Sequence, residues 1–291
     1  MISFTYLEPA EVDEALATLA RYGEEAKVIA GGTGLVNLMK QRLVQPTYLI
    51  GLRRLAGLSG LHYDGAVRIG ALCTQRTIET SALVRTHVPL LAETCRHVAS
   101  VRIRTMATLG GALAHADPNQ DPPPALMVLD ARVRLRSQQR AREVSIAEFF
   151  TGYYETSMEP DELITEVIIP PQPAGSGAAF VKFLPQTHDD YATVAVAARV
   201  TLDSDRIAEA RVALGAAAAT PLRATGVEDA LRGQALTPAT LREAAVLVAE
   251  AVDPTSDFRG SAAYKRDMAV VFVRRALTQA AAQAQAGGGA A

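Results

Sequence analysis

Between residues 170 and 177 the chain reads Pro-Pro-Gln-Pro-Ala-Gly-Ser-Gly. No helix or central strand tolerates such a run, because proline lacks the N–H that either ladder needs and glycine leaves the backbone unconstrained. A domain boundary is therefore expected near residue 172, with a separate core on each side. A length of 291 residues accommodates two or three domains at roughly 150 residues or fewer apiece.

Upstream of the break, Val12, Ala15, Leu16 and Leu19 recur at helical spacing, and the apolar segment from Lys27 to Ala30 reads as a strand entering Gly31-Gly32-Thr33-Gly34. A helix from Leu35 to Leu43 stops before Pro46, and Tyr48 to Leu52 is a further strand. Residues 1–55 thus form a βαβ-like N-terminal unit. Residues 56–172 read as mixed α+β, with strands at 67–71, 131–136, 142–145 and 162–169, helical pieces at 77–81, 89–98 and 146–150, and a second glycine turn at Gly110-Gly111. Beyond the break, 179–184, 192–202 and 207–214 make a three-stranded meander. Helices at 226–231, 238–252 and 261–279 complete a C-terminal unit over 178–279. Residues 280–291 hold only Ala, Gln and Gly, so they are expected to be a disordered tail.

The segment Ala30-Gly31-Gly32-Thr33-Gly34-Leu35 lies between strand and helix, where glycine permits positive φ and lets N–H groups approach an anion. Its spacing is neither G-x-G-x-x-G nor a Walker A loop, so alone it is equally an ordinary turn. A second segment, Thr108-Leu109-Gly110-Gly111-Ala112, leads to His115, Asp117 and Asp121. Two glycine pairs about eighty residues apart could grip the two sides of one diphosphate. Asp121 could accept hydrogen bonds from the hydroxyls of a sugar or ribityl chain, whereas Asp117 reads as a turn residue before Pro118. His115 reads as a packed helix residue, since no second His or carboxylate stands at ligand spacing. The third segment is Phe180-Val181-Lys182-Phe183 with Asp189-Asp190-Tyr191 beyond it. Lys182 is either a solvated strand residue or a compensating charge beside a diphosphate, and Tyr191 could stack on a planar ring.

Composition removes several function classes. A net charge of −2 lacks the basic excess of a nucleic-acid binder. Apolar stretches such as Ala192 to Leu202, interrupted by Arg199, fall short of the ~20 residues of a membrane span, and the N-terminal sequence has no secretory pattern. A cytoplasmic protein is expected. Cys73 and Cys95 are too few for an iron–sulfur or structural zinc site, and no Ser-His-Asp set, carboxylate pair or activated Cys stands at catalytic spacing.

Taken together, the chain resembles the FAD-binding (medium) subunit of molybdenum hydroxylases, the flavoprotein of the carbon monoxide dehydrogenase and xanthine dehydrogenase type. The resemblance rests on AGGTGLVNLMKQRL from Ala30, VRIRTMATLGGALAHADPNQD from Val101, DELITEVIIP from Asp161, FVKFLPQTHDDYATVAVAA from Phe180, VALGAAAATPLRA from Val212 and DPTSDFRGSAAYKRDMAVVFVRRAL from Asp253. It implies an α+β fold with two subdomains holding FAD, of the vanillyl-alcohol-oxidase or PCMH type, and a C-terminal three-stranded sheet with helices. It further implies that Ala30, Gly31, Gly32, Thr33, Gly34 and Leu35, with Thr108, Leu109, Gly110, Gly111 and Ala112, hold the pyrophosphate, largely through backbone N–H groups. Asp121 matches a ribityl-binding Asp, Ile164 a backbone contact to the flavin, Lys182 a charged residue near the cofactor, and Tyr191 an aromatic ring over the isoalloxazine. Gly34, Ala112, Thr105 and Gln186 stand where Ser or Asp, Asn or Asp, Asn, and Arg are usual.

The implied activity is electron transfer. FAD on this chain would accept electrons from the 2Fe-2S clusters of a small partner subunit, served in turn by a large molybdenum-cofactor subunit, in an (αβγ)2 assembly, and pass them to an external acceptor. No metal site is expected on this chain itself. The rival readings are a non-catalytic flavin-binding or assembly subunit, and a stand-alone FAD reductase.

Overall fold

The computed structural model describes residues 2–185, 187 and 190–288. Three main sheets follow one another along the chain. The first contains β1 (Thr5–Leu7), β2 (Ala26–Ile29) and β3 (Tyr48–Gly51), all parallel, in the order β1-β3-β2. β1 was not expected; three edge residues that are mostly exposed leave no periodicity to read. The helix Val12–Tyr22 buries Ala15, Leu16 and Leu19 against Ile50, Leu52 and Leu163, the apolar stripe its spacing dictates.

The second sheet is antiparallel, in the order β4-β5-β10-β6-β7, built from β4 (Leu61–Tyr63), β5 (Val67–Gly70), β6 (Arg132–Arg136), β7 (Ala141–Ser145) and, after a small hairpin of β8 (Phe150–Gly152) and β9 (Glu155–Thr156), β10 (Leu163–Ile169). Helices including Gln75–Thr80, Pro89–Arg96, Leu109–His115 and Pro122–Val128 share its core, in which Ile69, Leu91, Leu113, Leu126 and Leu135 are sealed from solvent. Gly110 and Gly111 do not form the expected turn. They sit in the first turn of the helix Leu109–His115, whose N-terminus is capped by the Thr108 hydroxyl accepting from the Gly111 N–H.

The third sheet is the expected meander of β11 (Ser176–Phe183), β12 (Val194–Asp203) and β13 (Arg206–Gly215), extended by a fourth, two-residue strand, β14 (Leu222–Arg223). Ser176 and Gly177 already belong to β11, so the break ends sooner than its composition implies. The segment expected as one helix over 238–252 divides at Leu247 into Pro238–Val246 and Val248–Ala251.

The expected disordered tail is instead helical. The last helix runs from Ala262 to Gly288 and buries Ala276, Ala280, Ala281 and Ala284, while residues 289–291 lie outside the described residues. The absence of large side chains is the reason it packs: a Cβ on Gly177 would overlap the helix backbone at Ala280 and Ala284, so glycine on the strand and alanine on the helix permit the close approach. An ion-pair network fastens this sheet to the one before it, with Asp130 accepting from Arg199 at 3.0 Å and from Arg211 at 3.2 Å. Among the described residues no helix is long and apolar enough to cross a membrane.

Candidate functional site

One cavity of about 940 Å³ opens where the three sheets meet, lined by Gly31 to Leu35, Gly110 to Ala112, Asp121, Ile164, Lys182 and Tyr191 among others. Of the site residues expected from sequence, Ala30, Gly31, Gly32, Thr33, Gly34, Leu35, Thr108, Gly110, Gly111, Ala112, Asp121, Ile164, Lys182 and Tyr191 all line it. Leu109 does not; it points into the core and is fully buried. Thr105 stays outside too, its hydroxyl donating to the Arg102 carbonyl. Gln186 and Asp189 lie outside the described residues.

The first wall is the loop leaving β2. Gly32 has φ +72°, a conformation that L side chains resist. The carbonyls of Gly32 and Gly34 accept from Val36 and Asn37, which starts the helix Leu35–Lys40. Among the described residues, however, the N–H groups of Gly31, Gly32, Thr33, Gly34 and Leu35 find no backbone acceptor. Five unpaired donors on a cavity wall make a concave nest for an anion.

The opposite wall differs. Leu109 and Gly110 donate to the carbonyls of Cys73 and Ala71, Gly111 to the Thr108 hydroxyl, and Ala112 to the Thr108 carbonyl. The donors expected there for a pyrophosphate are thus already engaged, because the helix that begins at Leu109 uses them to start itself. What joins the walls is shape. A Cβ on Gly31 would overlap the Met106 carbonyl oxygen, one on Gly34 would lie 2.7 Å from Nε2 of His115, and one on Gly111 would approach Ala30 to 3.7 Å.

Asp121 and Lys182 form a buried ion pair at 2.7 Å, with side chains 4 % and 2 % exposed. Lys182 also donates to the His97 carbonyl at 3.1 Å. It is therefore neither solvated nor a free charge for a phosphate: its charge is committed to Asp121. Burial pushes the Asp121 carboxyl up to about 6, against the downward pull of Lys182. Oδ2 takes the Lys182 proton donor, while Oδ1 is buried without a partner among the described residues, leaving an acceptor for a ligand hydroxyl. Ile164 lies on β10 at a break in register between Ile164 and Glu166.

Tyr191 stands at the rim, 43 % exposed, with the Arg259 guanidinium 5.8 Å from its ring centroid. Arg259 donates to Asp190 at 2.9 Å, and the same Asp190 oxygen accepts from the Tyr191 N–H at 2.7 Å. Burial, with the Asp117 carboxylate beside it, raises the Tyr191 phenol above its ordinary value.

Three residues at or beside the cavity have roles that the sequence did not assign. Asp117 makes the expected turn, its Oδ1 accepting from the Asn119 N–H at 2.9 Å, and in addition, at 5 % exposure, its Oδ2 accepts from the Tyr154 hydroxyl at 3.2 Å. His115 faces the cavity edge-on to Tyr154, their centroids 5.2 Å apart, and burial holds its imidazole below the ordinary value, hence neutral at pH 7. Gln75, also on the wall, is 2 % exposed. His115 and Asp117 fall within a segment singled out from the sequence, but their contacts with Tyr154 come from a residue distant in sequence, and nothing in the sequence marks Gln75. Among the described residues no group of His, Cys, Asp and Glu is placed to hold a metal ion.

Such a cavity, with an anion nest at one side, a buried hydroxyl acceptor opposite and an aromatic ring at the rim, suits an elongated ligand carrying a diphosphate, hydroxyls and a planar ring. Residues 2–172 match the family model described as the FAD binding domain in molybdopterin dehydrogenase, and residues 179–280 match the CO dehydrogenase flavoprotein C-terminal domain. The carbon monoxide dehydrogenase medium chain of Afipia carboxidovorans is 37 % identical over 284 residues, covering 97 % of this chain and 98 % of that one. The 6-hydroxypseudooxynicotine dehydrogenase complex subunit alpha of Paenarthrobacter nicotinovorans is 35 % identical over 280 residues, covering 96 % and 94 %. A solved carbon monoxide dehydrogenase from Hydrogenophaga pseudoflava, lacking the Mo-pyranopterin moiety of its molybdenum cofactor, superposes with a TM-score of 0.94 at 36 % identity, over 97 % of this chain and 99 % of that one.

Proposed function

This chain belongs to the family of FAD-binding subunits of molybdenum hydroxylases, and from that membership we propose that it receives electrons from the 2Fe-2S clusters of a small partner subunit and passes them to an external acceptor. A large subunit carrying the molybdenum cofactor would be the source of those electrons, in a cytoplasmic (αβγ)2 assembly. FAD, when bound, supplies the redox chemistry. The chain's own residues bind it, orient it and exclude water.

The observation that carries this reading is that the N–H groups from Gly31 to Leu35, unpartnered among the described residues, belong to residues lining a cavity of about 940 Å³. They would hold the pyrophosphate, with the second wall packing Gly110, Gly111 and Ala112 closely beside it. Asp121 Oδ1 would accept from a ribityl hydroxyl, and Lys182 keeps that carboxyl ionised and in place. Ile164 and Tyr191 would border the flavin ring. In domain terms, 1–55 and 56–172 enclose the cofactor, while 178–279 contributes Lys182 and Tyr191.

The test is the visible absorption spectrum of the purified chain, followed by heat release and mass identification of the chromophore, with any co-purifying chains assayed for iron and molybdenum. Oxidised-flavin bands, released FAD and iron–sulfur and molybdenum partners are expected. A folded, colourless chain that ignores added FAD would overturn the reading and favour a non-catalytic assembly subunit.

A further inference from the structure

Gln75 opens the helix Gln75–Thr80, and its backbone N–H donates to the Ala107 carbonyl at 2.9 Å. The residue lines the cavity, as do Ala71, Leu72, Ala107 and Gly110. These residues are laced together, Gly110 N–H to Ala71 O and Ala71 N–H to Thr165 O, so Gln75 stands on a rigid part of the wall.

The carboxamide is the anomaly. The residue is 2 % exposed, Oε1 is sealed without a partner, and among the described residues the side chain makes no hydrogen bond. Glu79, on the same helix and 6 % exposed, is bound by both Arg76 and Arg104. Buried polar groups are almost always paired, because an unpaired one forfeits its hydration without return. A carboxylate can shed part of that penalty by taking a proton; a carboxamide stays polar at every pH. Leu or Met would fill the same volume without the penalty.

We propose that Gln75 is a cofactor-binding residue whose carboxamide pairs with a neutral hydrogen-bonding group of the bound FAD, either a ring edge or a sugar hydroxyl. The inference rests on the FAD reading given above. Rotation about the last side-chain bond presents either Oε1 or Nε2 to the cavity, so the side chain serves a donor or an acceptor. A carboxamide carries no charge to offset a phosphate, and the loop from Gly31 to Leu35 supplies the donors for one, which leaves Gln75 for an uncharged part of the ligand.

The experiment compares Gln75→Leu and Gln75→Met with the wild-type full chain, measuring FAD and ADP affinity by titration and urea unfolding of the flavin-free protein. The FAD Kd is expected to rise roughly tenfold for one lost hydrogen bond, while the flavin-free variants unfold at an equal or higher urea concentration. An ADP Kd that rises in parallel puts the partner on the adenosine half; an unchanged one puts it on the flavin half. Unchanged FAD affinity in both variants overturns the proposal, as does a fall in the flavin-free unfolding midpoint, which would make Gln75 a packing residue. A wild-type chain that takes up no FAD fails the cofactor reading itself, and the wild-type titration separates that case.

Discussion

The two glycine segments face each other across one cavity, yet they meet it with different resources. From Gly31 to Leu35 the backbone leaves the strand as an open loop, positive in φ at Gly32, with five N–H groups unpaired among the described residues. From Leu109 to Ala112 it is the start of a helix, and each N–H is already bonded. The first wall can therefore bind an anion through the backbone itself, whereas the second supplies surface, the Thr108 hydroxyl and, further along, the Asp121–Lys182 pair. Similar sequences, a threonine and a glycine pair each, became opposite devices because the second helix begins at Leu109, before its glycines, with Leu109 and Leu113 sealed in the core, whereas the first begins at Leu35, after them.

The seam between the walls is where a substitution should do most. Gly31→Ala places a Cβ into the Met106 carbonyl and within 3.2 Å of the Ala107 Cα, backbone atoms that cannot swing aside. The loss should exceed about 4 kcal/mol, the range of severe core disruption, and the chain should purify without FAD. A variant with wild-type colour and an unchanged denaturant midpoint would show that the walls do not meet.

Lys182→Met tests the charged side of the second wall. Removing one partner of a buried pair costs about 3–5 kcal/mol when the other stays ionised. Asp121 can escape by protonation: its folded value, about 6, already lies above the unfolded one, so the native state keeps the proton longer and stability from this group falls as pH rises through that value. Without Lys182 the carboxyl climbs further, and the fall extends to higher pH. The destabilisation should be small at pH 5 and about 3 kcal/mol at pH 8 by urea unfolding. Equal losses at both pH values would mean that Asp121 is not the group left unpaired.

How much of this was legible follows from where the signals lie. Apolar spacing at Val12, Leu16 and Leu19 and the apolar runs through β12 and β13 are local, so the element order could be read, as could the α+β class. Almost every expected site residue lines one cavity; the glycine segments, Asp121 and Lys182 stand out in the sequence itself, whereas Ile164 is implied only by the family resemblance. The helix through Gly110 and Gly111 was not legible, because glycine disfavours helix and only the Thr108 cap with core burial of Leu109 and Leu113 reverses that preference. Nor was the helical tail, whose alanines pack on Gly177, a residue about a hundred positions away. The pairing of Lys182 with Asp121, 61 residues apart, is likewise a property of the fold.

Gly34 shows how the walls exchange space. Its φ is −89°, which any residue adopts, so only the His115 ring, 2.7 Å from the added Cβ, opposes Gly34→Ala. A ring can turn where a carbonyl cannot. The expected cost is about 1 kcal/mol in stability and a roughly tenfold weaker FAD affinity, one displaced contact's worth. Adding His115→Ala should restore most of it, with a coupling of about 1 kcal/mol in the double-mutant cycle. Additive losses would remove the contact between Gly34 and His115 from the account.

The smallest effect, and the sharpest test of the asymmetry, belongs to Gly111→Ala. The new Cβ would stand 2.7 Å from the Thr108 hydroxyl and push it off its cap, a loss of about 1 kcal/mol. Alanine in place of glycine within a helix gains about 1 kcal/mol. The two offset, so urea unfolding should register little change. FAD affinity should then fall only slightly, because the N–H at this position is already spent on Thr108. If instead the variant loses FAD as completely as Gly31→Ala while unfolding like the wild type, the Gly111 N–H must leave Thr108 for the cofactor's phosphate. The second wall would then be a switchable anion site, and the contrast between the walls would hold for the flavin-free chain alone.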